Sequence, residues 1–425
     1  MSDVRAREIL DCRGLPTLQV DVLVDGALLG RADVPAGRST GRYEAKELRD
    51  GGKRFGGYGV TKAIANVQGE IAKALKGASL NQRAIDETLI DLDHTPDKSR
   101  LGANAITGVS MAVSRAIAAA HRSPLFLDLN PGSHILPVPQ VNLINGGRHA
   151  SNDLDFQEFI VMPVGATNFL EAMAISTEVN LVLIELILAK YGKAAINVGD
   201  EGGAAPPISD PEEALELLHR AVERAGYSRD IVYGLDAAAT HLYDSATRQY
   251  RVAGQARSTD QMIELYEHLV KEWGIVSIED PLDESDFNGF ADLTERLGIQ
   301  IVGDDLFVTS SARVQQGIDR KAANALLWKF NQVGTLTEAL NAADLAVRHG
   351  YGIVVSERSG ETEDPIIADL TVALNARQIK TGAPVRGERT AKYNRLLLIE
   401  EELGSKARYA GAAYRTPPEL MPAQA

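Results

Sequence analysis

The stretch between residues 275 and 329 decides the fold. It contains three short apolar runs that each end on a charged residue: IVSIE (275–279), IQIVGD (299–304) and ALLWK (325–329). The same pattern precedes them as IVYGLD (231–236) and follows them as GIVVSE (352–357). Helical patterns, such as Thr335–Val347, fill the gaps. Apolar strands that alternate with helices at this spacing indicate βα units on a parallel sheet.

The number of these units favours a closed, TIM-type (β/α)8 barrel over an open, doubly wound α/β sheet. Two upstream apolar segments, 139–144 and 156–164, are predicted to be further strands. We place the barrel over residues 126–425. The carboxyl ends of barrel strands face the active site, so charged residues at those ends call for a chemical explanation.

The first 125 residues have a different pattern. Leu18, Val20, Val22 and Val24 alternate with polar residues, and Asp25-Gly26 then supplies a tight turn before a returning strand that ends near Val34. This predicts a β-hairpin. Apolar residues at helical spacing over 64–75 and 106–117 predict two helices. We therefore predict a smaller N-terminal α+β domain over residues 1–125.

Composition excludes several classes of protein. The 425 residues carry a net charge of −14, which is a poor match for a protein that binds nucleic acid through basic surface. The longest apolar stretch, near Leu181–Ala189, is shorter than the roughly 20 residues that span a bilayer. A single cysteine, Cys12, excludes an intrachain disulfide and Cys-rich zinc sites. These features predict an enzyme of the cytoplasm, with neither a membrane nor nucleic acid as partner.

Three carboxylates end successive predicted strands: Asp236, Glu279 and Asp304. Converging on one barrel mouth, they would repel one another unless a cation lay between them. A hard divalent ion with oxygen ligands, most simply Mg²⁺, would relieve that repulsion. The alternative is that each carboxylate caps the helix that follows its strand.

Two further strand ends carry groups suited to an acidic substrate. Lys329 could act as a general base beside a metal, or it could simply pair with a neighbouring carboxylate. The segment Glu357-Arg358-Ser359-Gly360 offers a guanidinium, a hydroxyl and backbone amides for a phosphate or carboxylate, and Lys380 could add a second cation. The glycine-bracketed segment 35–41 is either a mobile lid or an ordinary turn.

In combination, these segments resemble the enolase family. The similarity runs from Ala6-Arg-Glu-Ile-Leu-Asp11 to Ile399-Glu-Glu-Glu-Leu-Gly404. The motifs between them that carry it are Leu101-Gly-Ala-Asn-Ala105, Gln157-Glu-Phe159, Val198-Gly-Asp-Glu-Gly-Gly203, Ser277-Ile-Glu-Asp-Pro281, Asp304-Asp-Leu306, Lys329-Phe-Asn-Gln332, Arg358-Ser-Gly-Glu-Thr-Glu-Asp364 and Gln378-Ile-Lys-Thr-Gly-Ala-Pro384.

The resemblance implies an N-terminal domain that caps a modified (β/α)8 barrel, usually in a homodimer or a ring of dimers. It implies a tightly held Mg²⁺ on Asp236, Glu279 and Asp304, and a second Mg²⁺ that arrives with the substrate and uses Ser39. Lys329 would remove the C2 proton of 2-phosphoglycerate, and Glu201, assisted by Glu158, would protonate the departing hydroxyl. The remaining pocket positions would contact the substrate: Arg358 and Ser359 its phosphate, Lys380 its carboxylate, and His149 and Gln157 other groups.

The sequence also departs from the family pattern. Glu357 stands where enolases nearly always have histidine, and Arg38 stands in a loop that usually carries alanine. An unpaired carboxylate about 4 Å from a substrate anion would cost on the order of 4 kcal/mol at an effective dielectric near 20. We interpret Glu357, Arg38 and Arg148 as one rearrangement of pocket charge, with Glu357 and Arg38 meeting the substrate.

Several functions therefore remain open at this stage. The rearranged charge suggests a diverged paralogue acting on a close phosphorylated or phosphonylated three-carbon acid, such as a carboxyphosphonoenolpyruvate synthase-like enzyme of phosphonate antibiotic biosynthesis. An ordinary glycolytic enolase is the alternative if Glu357 pairs with Arg38 or Arg148. A non-catalytic binding protein is the third possibility.

Overall fold

The computed structural model describes residues 1–38 and 40–419. The N-terminal part contains a three-stranded antiparallel sheet in the order β1-β2-β3. Its strands are β1 Asp3–Leu10, β2 Pro16–Val24 and β3 Ala27–Asp33. The turn between β2 and β3 falls on Asp25 and Gly26, which both have positive φ, so the predicted hairpin is confirmed.

Five α-helices follow this sheet along the chain. They are α1 Thr61–Asn66, α2 Ala72–Leu75, α3 Gln82–Asp93, α4 Ala103–His121 and α5 Leu125–Leu129. A π-helical segment, Val67–Ile71, joins α1 to α2, and both predicted helices are present. Helix α4 packs close to the sheet because Gly30 has no side chain: a Cβ there would lie 1.9 Å from the Ala112 carbonyl oxygen.

Eight strands form a closed barrel in the order β11-β12-β13-β14-β15-β5-β6-β7. The strands after β3 are β4 Ile135–Leu136, β5 Val138–Asn145, β6 Glu158–Met162, β7 Val232–Asp236, β8 Tyr243–Asp244, β9 Gln249–Val252, β10 Gln255–Arg257, β11 Ile275–Glu279, β12 Gln300–Gly303, β13 Ala325–Trp328, β14 Gly352–Ser356, β15 Gln378–Lys380 and β16 Arg408–Tyr409. A small sheet, β8-β9-β10, follows β7, and β16 pairs with β4. The barrel and the α/β fold class are confirmed.

The barrel differs from the predicted parallel sheet in one strand. Strand β6 runs antiparallel to both of its neighbours, β5 and β7, while the other adjacent pairs are parallel. No α-helix separates β5 from β6, and two α-helices separate β6 from β7. The helices around the barrel are α6 Phe169–Tyr191, α7 Pro211–Ala225, α8 Thr259–Trp273, α9 Phe287–Leu297, α10 Ser311–Arg320, α11 Leu336–Arg348, α12 Ile366–Ala373 and α13 Gly387–Leu403.

Helix α6 is longer and more apolar than the sequence suggested. Among the described residues, it is the one helix with the length and composition to cross a membrane. It packs beside the barrel against α7 and α13, and its inward face, which includes Val179, Leu183 and Ile187, is fully buried. Core helices of globular proteins share these features, so α6 by itself is weak evidence for a membrane span.

The barrel brings the charged residues to one end. Asp236, Glu279 and Lys380 are the last residues of β7, β11 and β15. Asp304 and Lys329 directly follow β12 and β13. Because β6 is reversed, its first residue, Glu158, lies at the same end, opposite Asp236 in the β6–β7 register.

Candidate active site

A narrow, polar pocket lies at this end of the barrel. It is lined by twelve residues: His149, Gln157, Glu158, Glu201, Asp236, Asp304, Lys329, Ser356, Glu357, Arg358, Ser359 and Lys380. All except Ser356 are residues that the sequence analysis singled out. Glu279 joins them through an ion pair with Lys380, and Arg38 lies at the rim. Ser39 lies outside the described residues.

Lys380 is surrounded by carboxylates. Its Nζ lies 2.9 Å from Asp236 Oδ2, 2.7 Å from Glu279 Oε2 and 3.1 Å from Glu158 Oε1. Burial would lower the pKa of this ammonium, but the three carboxylates outweigh it and raise the pKa well above its ordinary value. Burial and the neighbouring Asp236 also raise the pKa of Glu279 to about 8. Several buried carboxyl groups of the pocket therefore share the positive charge of one lysine side chain.

Lys329 is paired with Asp304. Its Nζ donates to Asp304 Oδ2, while Gln332 Nε2 donates to Asp304 Oδ1 at 2.8 Å. Burial alone would lower the pKa of Lys329, as the sequence analysis expected for a base. The Asp304 carboxylate reverses that effect, so the pKa of Lys329 is raised in this state. The ion pair was the alternative interpretation of Lys329, and it is the arrangement that the structure shows.

Glu158, Glu201 and His149 form a second cluster. Ligand atoms of the three residues lie within 4.8 Å of one another, and His149 Nδ1 is 3.4 Å from Glu201 Oε1. Burial lowers the pKa of His149, which keeps the ring neutral. Burial and the adjacent Glu201 raise the pKa of Glu158 well above its ordinary value. Burial opposes ionisation of Glu201 as well, but Lys380 and Arg389 outweigh it and lower the pKa of Glu201. The two adjacent carboxyls therefore titrate apart, and the protonated form is favoured on Glu158 rather than on Glu201.

Glu357 is not an isolated charge. Its Oε2 accepts a hydrogen bond from Arg389 Nη1, and both side chains are fully buried. Burial raises the pKa of Glu357 well above its ordinary value, and Arg389 opposes that rise. The alternative in which Glu357 pairs with Arg38 or Arg148 is wrong, and the structure does not bring these three residues together as one rearrangement of pocket charge. Arg38 pairs with Asp200, and Arg148 lines a neighbouring cavity beside His241.

Arg358 and Ser359 follow β14 and lie in the pocket wall. Arg358 Nη2 lies 3.0 Å from Glu44 Oε2, and its Nη1 donates to Asn331 Oδ1 at 3.0 Å. These hydrogen bonds fix the orientation of the Arg358 guanidinium, and a guanidinium of fixed orientation is suited to binding a phosphate or a carboxylate. Glu44 comes from the N-terminal part of the chain, so the two parts build this wall together.

The loop that carries Arg38 closes over the same wall. The Arg38 backbone N–H donates to Ser359 Oγ at 2.8 Å, and Arg38 Nη1 donates to Asp200 Oδ2 at 2.7 Å. Two backbone hydrogen bonds join Ala36 to Gly360. With the loop in this position the pocket has about 10 Å³ of free space, too little for a phosphorylated three-carbon acid. The loop and pocket side chains must therefore move before such a substrate enters.

The carboxylates suit a hard cation. Asp236, Glu279 and Asp304 offer carboxyl oxygens, the donors that Mg²⁺ prefers, and a cation among them would oppose the rise in the Glu279 pKa that burial and Asp236 cause. In the described residues, a tighter cluster of ligand atoms is formed by Asp280, Asp304 and Asp305. The interpretation of Asp236 and Glu279 as helix caps receives no support, because the caps of α8 and α9 are Ser258 and Asp286.

Several residues of the site escaped the sequence analysis. Asn142 Nδ2 donates to Glu201 Oε2 at 3.1 Å. Asn142 lies inside a predicted strand, where a buried amide among apolar residues was the available signal. Glu44 and Arg389 carried no local signal, because their partners are more than 30 residues away along the chain.

Two family models match the chain. The model described as enolase, N-terminal domain, matches residues 1–129, and the model described as enolase, C-terminal TIM barrel domain, matches residues 133–417. Curated relatives are similar over nearly their whole length. An enolase of Methanocaldococcus jannaschii is 56% identical over 98% of both chains, and one of Methanopyrus kandleri is 55% identical over 96% of both. An enolase of Thermococcus gammatolerans is 54% identical over 97% of both.

Proposed function

This chain belongs to the enolase family of lyases, and we propose that it interconverts 2-phosphoglycerate and phosphoenolpyruvate in an Mg²⁺-dependent reaction. The observation that carries the proposal is the convergence, in one buried pocket, of Lys329 and the Glu158–Glu201 carboxyl pair, in which the pKa of Glu158 is raised. Removal of water from a hydroxy acid needs a base for the C–H proton and an acid for the departing hydroxyl.

The residues divide the reaction between them. Lys329 Nζ accepts the C2 proton, and the Glu201–Glu158 pair supplies a proton to the C3 hydroxyl, which leaves as water. Arg358 and Ser359 bind the phosphate, and Lys380 binds the carboxylate that gains negative charge when the C2 proton departs. His149 and Gln157 complete the wall around the reacting carbons. Neutral His149 adds no charge beside the acid pair.

Asp236, Glu279 and Asp304 would hold one Mg²⁺, and we propose Ser39 for a second. When bound, the metal supplies positive charge that stabilises the developing carboxylate charge, as enolase-superfamily sites do in general. Asp304 has a further consequence for Lys329. In the structure Asp304 pairs with the Lys329 ammonium, so Lys329 acts as a base only when this ion pair is weakened.

The comparisons do not support a diverged paralogue or a phosphonate-pathway enzyme. The three relatives described above all carry the name enolase. The Glu357–Arg389 pair removes the physical reason for altered chemistry, because the pocket does not face an isolated carboxylate. We further propose a cytoplasmic location, a homodimer or ring of dimers, and a domain boundary near residue 125, all supported by family membership.

A direct assay tests the proposal. The full-length protein, given 2-phosphoglycerate and Mg²⁺, should form the enol phosphate, followed by its ultraviolet absorbance, with kcat in the usual enzyme range of about 1–10³ s⁻¹. A phosphonylated three-carbon acid tested in parallel should not be a better substrate. A folded protein that forms no product from 2-phosphoglycerate would contradict the proposal.

Arg38→Ala is expected to weaken loop closure moderately. The Arg38–Asp200 pair is partly exposed, with side-chain exposures of 54% and 20%, and such pairs are worth about 0.2–1 kcal/mol. Because the loop in this position leaves too little room for substrate, loss of the pair should favour the open loop, and we expect KM for 2-phosphoglycerate to fall by up to about fivefold at low salt, with kcat little changed. The ratio of variant to wild-type KM should return toward one as salt is added, because salt screens the pair.

Two further substitutions, at Asp200 and at Arg54, serve as controls. Asp200→Asn should change KM as much as Arg38→Ala does, and the double variant should have the same KM as either single variant. Arg54→Ala breaks an exposed pair with Glu8 far from the pocket and should leave KM unchanged. Additive effects of Arg38→Ala and Asp200→Asn on KM would show that the two residues do not act on the loop through their ion pair.

A further inference from the structure

Arg389 is a fully buried arginine on α13 that joins two walls of the pocket. Its Nη1 donates to Glu357 Oε2 and, at 2.8 Å, to the Arg358 carbonyl oxygen. Its Nη2 donates to the carbonyl oxygens of Ser359 at 2.8 Å and Asp200 at 3.0 Å. One guanidinium therefore holds the segment 357–359 and the segment that carries Glu201.

The two segments meet again at Gly382. The Ala383 N–H donates to the Glu201 carbonyl oxygen at 2.9 Å, and the Glu357 N–H donates to the Lys380 carbonyl oxygen at 2.9 Å. A Cβ on Gly382 would lie 2.5 Å from the Glu201 carbonyl oxygen and 3.0 Å from Glu357 Oε1. The Glu357 side chain and the Glu201 backbone thus both lie close to Gly382, where there is no room for a side chain.

Glu357 supplies the side-chain carboxyl that holds Arg389 in this position through a hydrogen bond. Of the five hydrogen-bond acceptors around Arg389, three are backbone carbonyls and one is the Cys12 sulfur, and none of these four is a carboxylate. Glu388 Oε1 lies 3.4 Å from Arg389 Nε but makes no hydrogen bond with it. In the described residues Glu357 is the one carboxylate hydrogen-bonded to this guanidinium. Removing one partner of a buried pair leaves an uncompensated charge, which is strongly unfavourable.

We propose that Glu357 is a positioning residue that acts through Arg389 to fix Glu201 relative to the phosphate-binding segment 358–359. The inference rests on the proposed function, in which Glu201 belongs to the acid pair. Glu357 needs no contact with the substrate for this role. Lys329 follows β13 and is held by Asp304 and Thr309, outside the Arg389 network. Glu357 should therefore matter for hydroxyl departure and much less for removal of the C2 proton.

The two steps can be measured separately. In D₂O, exchange of the C2 hydrogen of 2-phosphoglycerate reports proton removal, and formation of the enol phosphate reports the complete reaction. For Glu357→Ala at saturating substrate, we expect product formation to fall about 100-fold, the usual cost of a displacement of about 1 Å. C2 exchange should fall much less, and KM should rise because Arg389 also holds the carbonyls of Arg358 and Ser359.

Glu357→Gln provides a second variant in case Glu357→Ala does not fold. Its amide oxygen can still accept from Arg389 Nη1, so we expect a smaller loss of product formation with the same sparing of C2 exchange. Asp369→Ala is the matched control: it breaks the pair of Asp369 with Arg395, which lies farther along α13 and does not line the pocket. This control should lower thermal stability without changing the ratio of exchange to product formation.

The outcomes separate this inference from the proposed function. Glu201→Gln gives the reference behaviour, with product formation lost and exchange retained. The positioning role is wrong if the Glu357 variants lose C2 exchange and product formation together. It is also wrong if their ratio of exchange to product formation equals that of Asp369→Ala. The proposed function stands in both cases. If the wild-type protein shows neither exchange nor product, the proposed function itself has failed.

Discussion

Lys329→Met is expected to abolish both C2 exchange and product formation. The substitution keeps most of the side-chain volume but removes the only amine of the pocket that we place at the C2 proton. General-base groups contribute about 10²–10⁴-fold, and we expect a loss near the upper end because Lys380, the other pocket lysine, is committed to three carboxylates. The measurement is C2 exchange in D₂O together with the absorbance assay.

Lys98→Met is the matched control for this variant. Lys98 is also a buried lysine paired with a carboxylate, Glu338, but it lies between the N-terminal part and α11. Its loss should reduce stability and leave kcat near the wild-type value. Retention of C2 exchange by Lys329→Met would assign proton removal to another group. That result would overturn the mechanism even if the overall reaction were confirmed.

Removal of divalent cations is expected to stop turnover completely, and added Mg²⁺ should restore it. Glu279→Gln should weaken Mg²⁺ binding by about 100-fold or more, because even the outer partners of metal ligands typically contribute 10–100-fold. Calorimetric titration with Mg²⁺ measures this without relying on activity. The substitution also removes one of the three carboxylates around Lys380, so Mg²⁺ affinity is a sharper readout than turnover.

Glu295→Gln controls for charge alone. Glu295 is exposed on α9, away from the pocket, and its substitution also removes one negative charge from an acidic chain. Mg²⁺ affinity should be unchanged in this variant. Equal weakening in both variants would indicate nonspecific attraction to the net charge of −14 rather than a site at the barrel mouth.

The sequence predicted the barrel well because its strands are regular apolar runs. It did not predict the reversal of β6, because an apolar segment such as 156–164 reads the same in either direction and only its pairing with β5 and β7 sets the orientation. Strand β15 was also missed as a strand, since it has three residues and ends on Lys380.

The residues of the pocket were found through strand ends and family motifs, but their partners were not. Glu357 is a clear case. Its partner Arg389 lies on α13, where the alternation of Glu, Arg and Lys resembles a solvated surface. In the structure, Arg389 and Lys392 are fully buried beside Tyr393 and Leu396. The charge of a residue was visible in the sequence, whereas the group that compensates it depends on tertiary packing.

The hydrogen bonds from Arg358 to Glu44 have a consequence for hybrid proteins. An arginine of the barrel depends for its orientation on a carboxylate from the other part of the chain, and Gln332 Nε2 also reaches Glu44, at 3.3 Å. A chimaera that joins the first 125 residues of one species to the barrel of another would assemble a competent phosphate site only if both parents agree at these contacts. The exchange of N-terminal parts between species is therefore restricted by the contacts that Glu44 makes with Arg358 and Gln332, and not by the fold of either part.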